Sequence, residues 1–116
     1  MKSHAMSKLQ KTYPKILPPE IEIACGDGWR PLLDSLCSQI QKHLDASPDV
    51  PQFRAVQVKE KFAELRFYAN GGDQHCRDLV ETARIKSLEI CEVCGEPGTM
   101  IGTKWVSIRC ETHSGL

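Results

Sequence analysis

The sequence predicts an α+β fold: a long helix, a β-hairpin and a second helix, with a C-terminal zinc-ribbon-like module packed on them. Three observations predict it. Apolar residues recur at helical spacing over 29–44, and the pattern changes to alternation between 55 and 68. The last quarter carries Cys91, Cys94, Cys110 and His113 in the order C-x2-C-x15-C-x2-H.

The elements follow in order. Residues 1–6 are set aside as a vector-derived leader, with Met6 as the natural start. Pro14, Pro18 and Pro19 make the stretch before residue 24 an extended lead-in, ending in a short strand at 20–24. Gly26-Asp27-Gly28-Trp29 is a turn, with Asp27 placed to cap the next helix and Pro31 suited to its first turn. Leu32, Leu33, Leu36, Cys37, Ile40 and Leu44 share one face of that helix, and Gln39, Gln41 and Lys42 lie off it. Residues 45–54 form a loop.

Val56, Val58 and Phe62 mark one strand, and Leu65 and Phe67 the next, with the reversal at Ala63-Glu64. Ala63 suits a tight primed turn poorly, so a wider or bulged connection is expected. Charges at Lys59, Glu60, Lys61, Glu64 and Arg66 suggest a solvated hairpin face with cross-strand ion pairs. Asn70-Gly71-Gly72 ends the strand, and Asp73 is the candidate cap of a helix over 74–88. Cys76, Leu79, Val80, Ala83 and Ser87 fall on one side of it. Residues 105–109 form a short strand that delivers Cys110. The chain thus divides into a lead-in (1–19), an α+β core (20–88) and a ribbon module (89–116).

Charge narrows the function classes. The chain carries 15 basic and 15 acidic residues. The halves are alike: residues 1–58 hold seven basic and six acidic, and residues 59–116 hold eight and nine. Non-specific nucleic-acid binding draws on an excess of Lys and Arg, which is missing here. No run is long enough to cross a membrane, and no secretory h-region follows the N-terminus. The expected compartment is therefore the reducing cytoplasm, where paired cysteines hold metal rather than disulfides.

Four soft or borderline ligands on two turns can close a tetrahedron around Zn²⁺ with no open position. Such a site is structural, with one Zn²⁺ per chain, and its binding free energy is coupled to folding. Gly95 lets the backbone turn behind Cys94. The competing reading is a set of buried or redox cysteines.

The remaining cysteines are Cys25, Cys37 and Cys76. Cys37 and Cys76 read as core fillers. Cys25 precedes a glycine turn, where a nucleophile can sit, and only folding brings His43 or His75 near it. A second metal site from Cys25, Cys37, His75 and Cys76 is a further alternative. The Gly26–Trp29 turn is either a helix start with Trp29 packed inward or a recognition loop using Asp27 and Trp29. Lys104, Trp105 and Arg109 are the candidate nucleic-acid contacts, opposed by Glu89, Glu92, Glu96 and Glu111 around them.

Cys25-Gly-Asp-Gly-Trp29, residues 57–68 (Gln-Val-Lys-Glu-Lys-Phe-Ala-Glu-Leu-Arg-Phe-Tyr) and residues 91–98 (Cys-Glu-Val-Cys-Gly-Glu-Pro-Gly) together resemble a family of small uncharacterised phage and prophage proteins. The likeness spans most of residues 20–113. The family pattern has glycine where this chain has Ala63. The resemblance implies a phage-related context and no particular activity. The expected function is a zinc-stabilised binding protein whose partner is another protein. A nucleic-acid-binding ribbon is the alternative, and an enzyme using Cys25 or Asp27 is the third class. No residue is assigned a catalytic role.

Overall fold

The computed structural model describes residues 4–114. It is an α+β structure with three α-helices, a three-stranded sheet and a two-stranded sheet among those residues. No described helix is long and apolar enough to cross a membrane.

The N-terminal segment departs from expectation. Helix α1 spans His4–Thr12 and buries Met6, Leu9 and Gln10. The prolines begin only at Pro14, and the nine residues before Tyr13 contain neither Pro nor Gly, so nothing interrupts a helix there. Met6, Leu9, Gln10 and Tyr13 repeat at helical spacing, a pattern masked by setting the first six residues aside. Residues 4–6 belong to the fold, with Met6 in the core, and residues 1–3 lie outside the described residues. Buried Gln10 is satisfied: its Nε2 donates to the carbonyls of Pro18 and Ile21, each at 2.9 Å. That pair of bonds holds the proline-rich lead-in against α1.

Strand β1 is only Ile23–Ala24. It pairs in parallel with β2 (Arg54–Lys61), Ile23 opposite Val58. A parallel pair needs a crossover, and helix α2 (Arg30–Ala46) supplies it. The predicted face of α2 is the buried one: Leu32, Leu33, Leu36, Cys37 and Ile40. Asp27 does not cap this helix. A 3₁₀ turn at Asp27–Trp29 precedes it, Trp29 takes the N-cap position, and no side chain bonds the cap.

Strand β3 (Glu64–Asn70) runs antiparallel to β2, with Lys61 opposite Glu64. The reversal is therefore the two-residue turn Phe62-Ala63, tight rather than wide. Both residues have positive φ, 53° and 67°, the conformation of a primed turn. Non-glycine residues there carry strain of about 1 kcal/mol or more each. Two features offset it: the Ala63 N–H donates to Glu60 Oε2 at 2.9 Å, and Ala63 is wholly buried. Phe62 is a turn residue and not a strand residue, and it is 68% exposed. The irregularity falls elsewhere, as a bulge between Ala55 and Gln57. The bulge breaks the alternation, so Ala55 and Val58 face the core while Val56 faces solvent.

The expected cross-strand ion pairs are replaced by others. Lys59 lies opposite Arg66, and Glu64 binds Arg66 two residues along its own strand and Arg84 of α3. Helix α3 spans Gln74–Ser87, and Asp73 caps it by accepting from the Cys76 N–H. The core between the helices and the sheet includes Trp29, Leu33, Ile40, Val58, Leu65 and Cys76, all wholly or almost wholly buried.

Candidate metal centre

The chain leaves α3 directly into the first knuckle. Ile90 bridges Pro97, the Cys91 N–H donates to the Glu96 carbonyl at 2.7 Å, and the Gly95 N–H donates to the Cys91 carbonyl at 2.9 Å. Gly95 has φ of 84°, which brings the chain round behind Cys94. A hairpin follows, from β4 (Thr99–Ile101) to β5 (Ser107–Arg109), and β5 delivers Cys110. A second turn, with the His113 N–H on the Cys110 carbonyl, brings His113 back to the cluster.

These turns bring all four expected ligands together. Their donor atoms lie within 4.8 Å of one another. Cys94 Sγ is 3.6 Å from Cys110 Sγ, and His113 Nδ1 is 3.7 Å from Cys91 Sγ and 3.1 Å from Cys110 Sγ. A tetrahedral Zn²⁺ would set sulfur–sulfur separations of about 3.8 Å and sulfur–nitrogen separations of about 3.5 Å. Each observed distance is within about 0.4 Å of those values. The donor set fits a metal, with every position of a tetrahedron filled by protein.

The electrostatics point the same way. Burial raises the pKa of the Cys91 thiol, but the amides of Cys110, Cys94 and Val93 outweigh it and draw it down to about 6. At Cys94 the Glu96 amide favours the thiolate, while burial and the neighbouring Cys110 and Cys91 sulfurs push the pKa up overall. Crowded sulfurs with amides aimed at them are the surroundings a bound cation stabilises.

Glu92, between the first two cysteines, fastens the knuckle to the core. Its backbone N–H donates to the Ile108 carbonyl at 3.0 Å, and its carbonyl accepts from the Gly28 N–H at 2.8 Å. Its carboxylate accepts from the Gly26 N–H at 2.9 Å and from Arg109 Nη1 at 3.1 Å. The two glycines permit this approach. A Cβ on Gly26 would lie 2.3 Å from the Glu92 carbonyl oxygen, and one on Gly28 would lie 2.2 Å from the Cys91 carbonyl oxygen. Trp29 completes the seam, its indole N–H donating to the Ile90 carbonyl at 2.9 Å.

The other expected residues therefore sort differently. Trp29 is wholly buried, which removes its ring from any recognition surface; Asp27 remains exposed beside it. Arg109 is held by Glu92 and by the Ile108 carbonyl, so its guanidinium works inside the ribbon rather than at a tip. Lys104 and Trp105 do stand outward, in the loop between β4 and β5, and Trp105 is 89% exposed. Cys25 meets no activating imidazole. Burial pushes its thiol up to about 12, and Glu92, Asp27 and Glu60 add to the effect, while His43 is engaged by Asp73 instead. Burial likewise pushes Cys37 up to about 12.

Sequence reasoning missed Gly26, Gly28 and Glu92 as a unit. The available signal was a glycine on each side of Asp27, with no phosphate motif to explain the pair. Comparison with family models, with curated proteins and with solved structures finds no match to this chain.

Proposed function

We propose that the chain is a zinc-stabilised binding protein of the phage or prophage type that its motifs resemble, acting by protein–protein contact to modulate a host or phage process. Cys91, Cys94, Cys110 and His113 hold one structural Zn²⁺ in this reading. The observation that carries it is the closed donor set. Four protein ligands leave no position for a substrate or an attacking water, so the metal's work is to hold the ribbon.

Partner contact is supported by what the surface exposes. Val93, Met100 and Trp105 on the ribbon, and Phe62 at the hairpin tip, are large apolar side chains left in solvent. Zero net charge also favours a protein over a polyanion.

The test compares captured partners of the wild type with those of Trp105→Ser and Phe62→Ser, with and without nuclease. A protein retained by the wild type, lost from one of the variants and indifferent to nuclease supports the reading. Capture that vanishes with nuclease overturns it.

One observation favours the second reading, a nucleic-acid-binding ribbon: Lys104 and the exposed Trp105 share one loop tip, where a base can stack on an indole beside a cation. Binding to single-stranded DNA or RNA that weakens steeply with salt and is lost in Trp105→Ser supports it. No binding at low salt removes it.

A further inference from the structure

We propose that His43, Asp73 and Cys76 form a second metal site, open to solvent and separate from the ribbon, for a divalent transition ion of borderline softness such as Zn²⁺ or Co²⁺. The residues come from two helices. His43 lies in the last turn of α2, Asp73 is the N-cap of α3, and Cys76 lies in the first turn of α3. One nitrogen, one oxygen and one sulfur donor from these residues lie within 4.8 Å of one another. This set differs from the one the sequence suggested, because Cys25 and Cys37 are not part of it.

The parts are already oriented. His43 Nε2 is 2.9 Å from Asp73 Oδ2. The other carboxylate oxygen, Oδ1, accepts from the Cys76 N–H at 3.1 Å, which fixes the plane of the carboxylate. The Cys76 side chain is wholly buried, with its Sγ within 4.8 Å of the His43 nitrogen and the Asp73 oxygen that complete the set. A second imidazole, His75, lies beside His43 with ring centroids 4.3 Å apart and ring planes tilted by 46°. The cap alone needs only Oδ1, and the hydrogen bond with His43 needs only Oδ2. Neither requires a buried thiol within 4.8 Å or a second imidazole alongside.

Imidazole, carboxylate and thiolate together suit Zn²⁺ and Co²⁺ rather than Mg²⁺ or Ca²⁺, which select oxygen. Three protein ligands leave one tetrahedral position for water or for His75. The His43 and Asp73 side chains are 21% and 37% exposed, which gives an ion a way in. Binding breaks the Cys76 S–H bond and the His43–Asp73 hydrogen bond. It forms metal–sulfur, metal–nitrogen and metal–oxygen bonds, passes the thiol proton to solvent and leaves the neutral His43 ring proton on Nδ1. The ion would tie the end of α2 to the start of α3, and unlike the ribbon ion it would exchange.

The test titrates Co²⁺ into full-length protein already loaded with one equivalent of zinc, whose retention is measured in parallel. The expected result is uptake of one cobalt with a thiolate-to-cobalt charge-transfer band. Cys76→Ala should abolish the band, and His43→Gln should weaken uptake at least ten-fold. Both variants should keep the wild-type far-ultraviolet spectrum and ribbon zinc. No cobalt uptake, or uptake without a thiolate band, or a band unchanged in both variants, overturns the proposal.

Discussion

Gly28 and Glu92 meet backbone to backbone, the Gly28 N–H donating to the Glu92 carbonyl at 2.8 Å across 64 residues of sequence. The contact joins the turn before α2 to the middle of the metal knuckle. It means that the ribbon is not an appendage with its own small core. The same peptide segment that presents Cys91 and Cys94 is also the docking strip for the α+β core.

Gly28→Ala should therefore act on both parts at once. The added methyl would meet the Cys91 and Glu92 backbones, with the nearest oxygen at 2.2 Å, and neither can move without disturbing the ligands. We expect a loss of about 2–3 kcal/mol in urea denaturation, together with faster zinc removal by a chelator. A stability loss with unchanged zinc kinetics would show that the seam and the metal are independent.

Glu92→Ala removes both carboxylate bonds, to the Gly26 N–H and to Arg109, from a largely buried side chain. Charge-assisted bonds of this kind contribute more than neutral ones, and the expected loss is about 2 kcal/mol. Glu92→Gln, which keeps an acceptor, should lose less. Equilibrium denaturation of the three proteins at constant zinc checks the order.

The hairpin turn offers the opposite prediction. Ala63→Gly relieves a positive φ of 67° at the cost of one buried methyl. Phe62→Asn places a residue suited to the first position of a primed turn. Together they should stabilise the protein by roughly 0.5–1 kcal/mol, read as a higher Tm. A lower Tm would mean that the packing of the Ala63 methyl outweighs the backbone strain.

Much of this fold was legible. Helices α2 and α3 announce themselves because a single apolar face repeats over many turns, and Asp73 sits where a cap should. The cluster of Cys91, Cys94, Cys110 and His113 was legible because a metal-binding set of this kind calls for pairs at short spacing. Other features were not, for separate physical reasons. Helix α1 is short, and its apolar signal is only Met6 and Leu9 with a buried glutamine. The bulge at Ala55–Gln57 shifts the strand's alternation by a residue, which no local pattern declares. The roles of Gly26, Gly28 and Arg109 depend on Glu92, a contact 64 to 66 residues distant for the glycines and invisible until the chain folds.

Thiol chemistry should separate the cysteines. Burial, with acidic neighbours, holds Cys25 and Cys37 near a pKa of about 12, so at pH 8 both are neutral thiols and poor nucleophiles. Brief iodoacetamide treatment of zinc-loaded protein, followed by peptide mass analysis, should leave them unmodified. With a strong chelator present, the exposed Cys94 should be among the first labelled. Rapid labelling of Cys25 in the zinc-loaded protein would instead indicate an activated thiol and revive the enzyme reading.

The central claim is one structural Zn²⁺ on Cys91, Cys94, Cys110 and His113, and elemental analysis of protein purified without chelator tests it most directly. The account predicts one zinc per chain, with Cys94→Ser and His113→Ala losing both the metal and thermal stability. Metal-free wild-type protein with an unchanged, cooperative unfolding transition would contradict it.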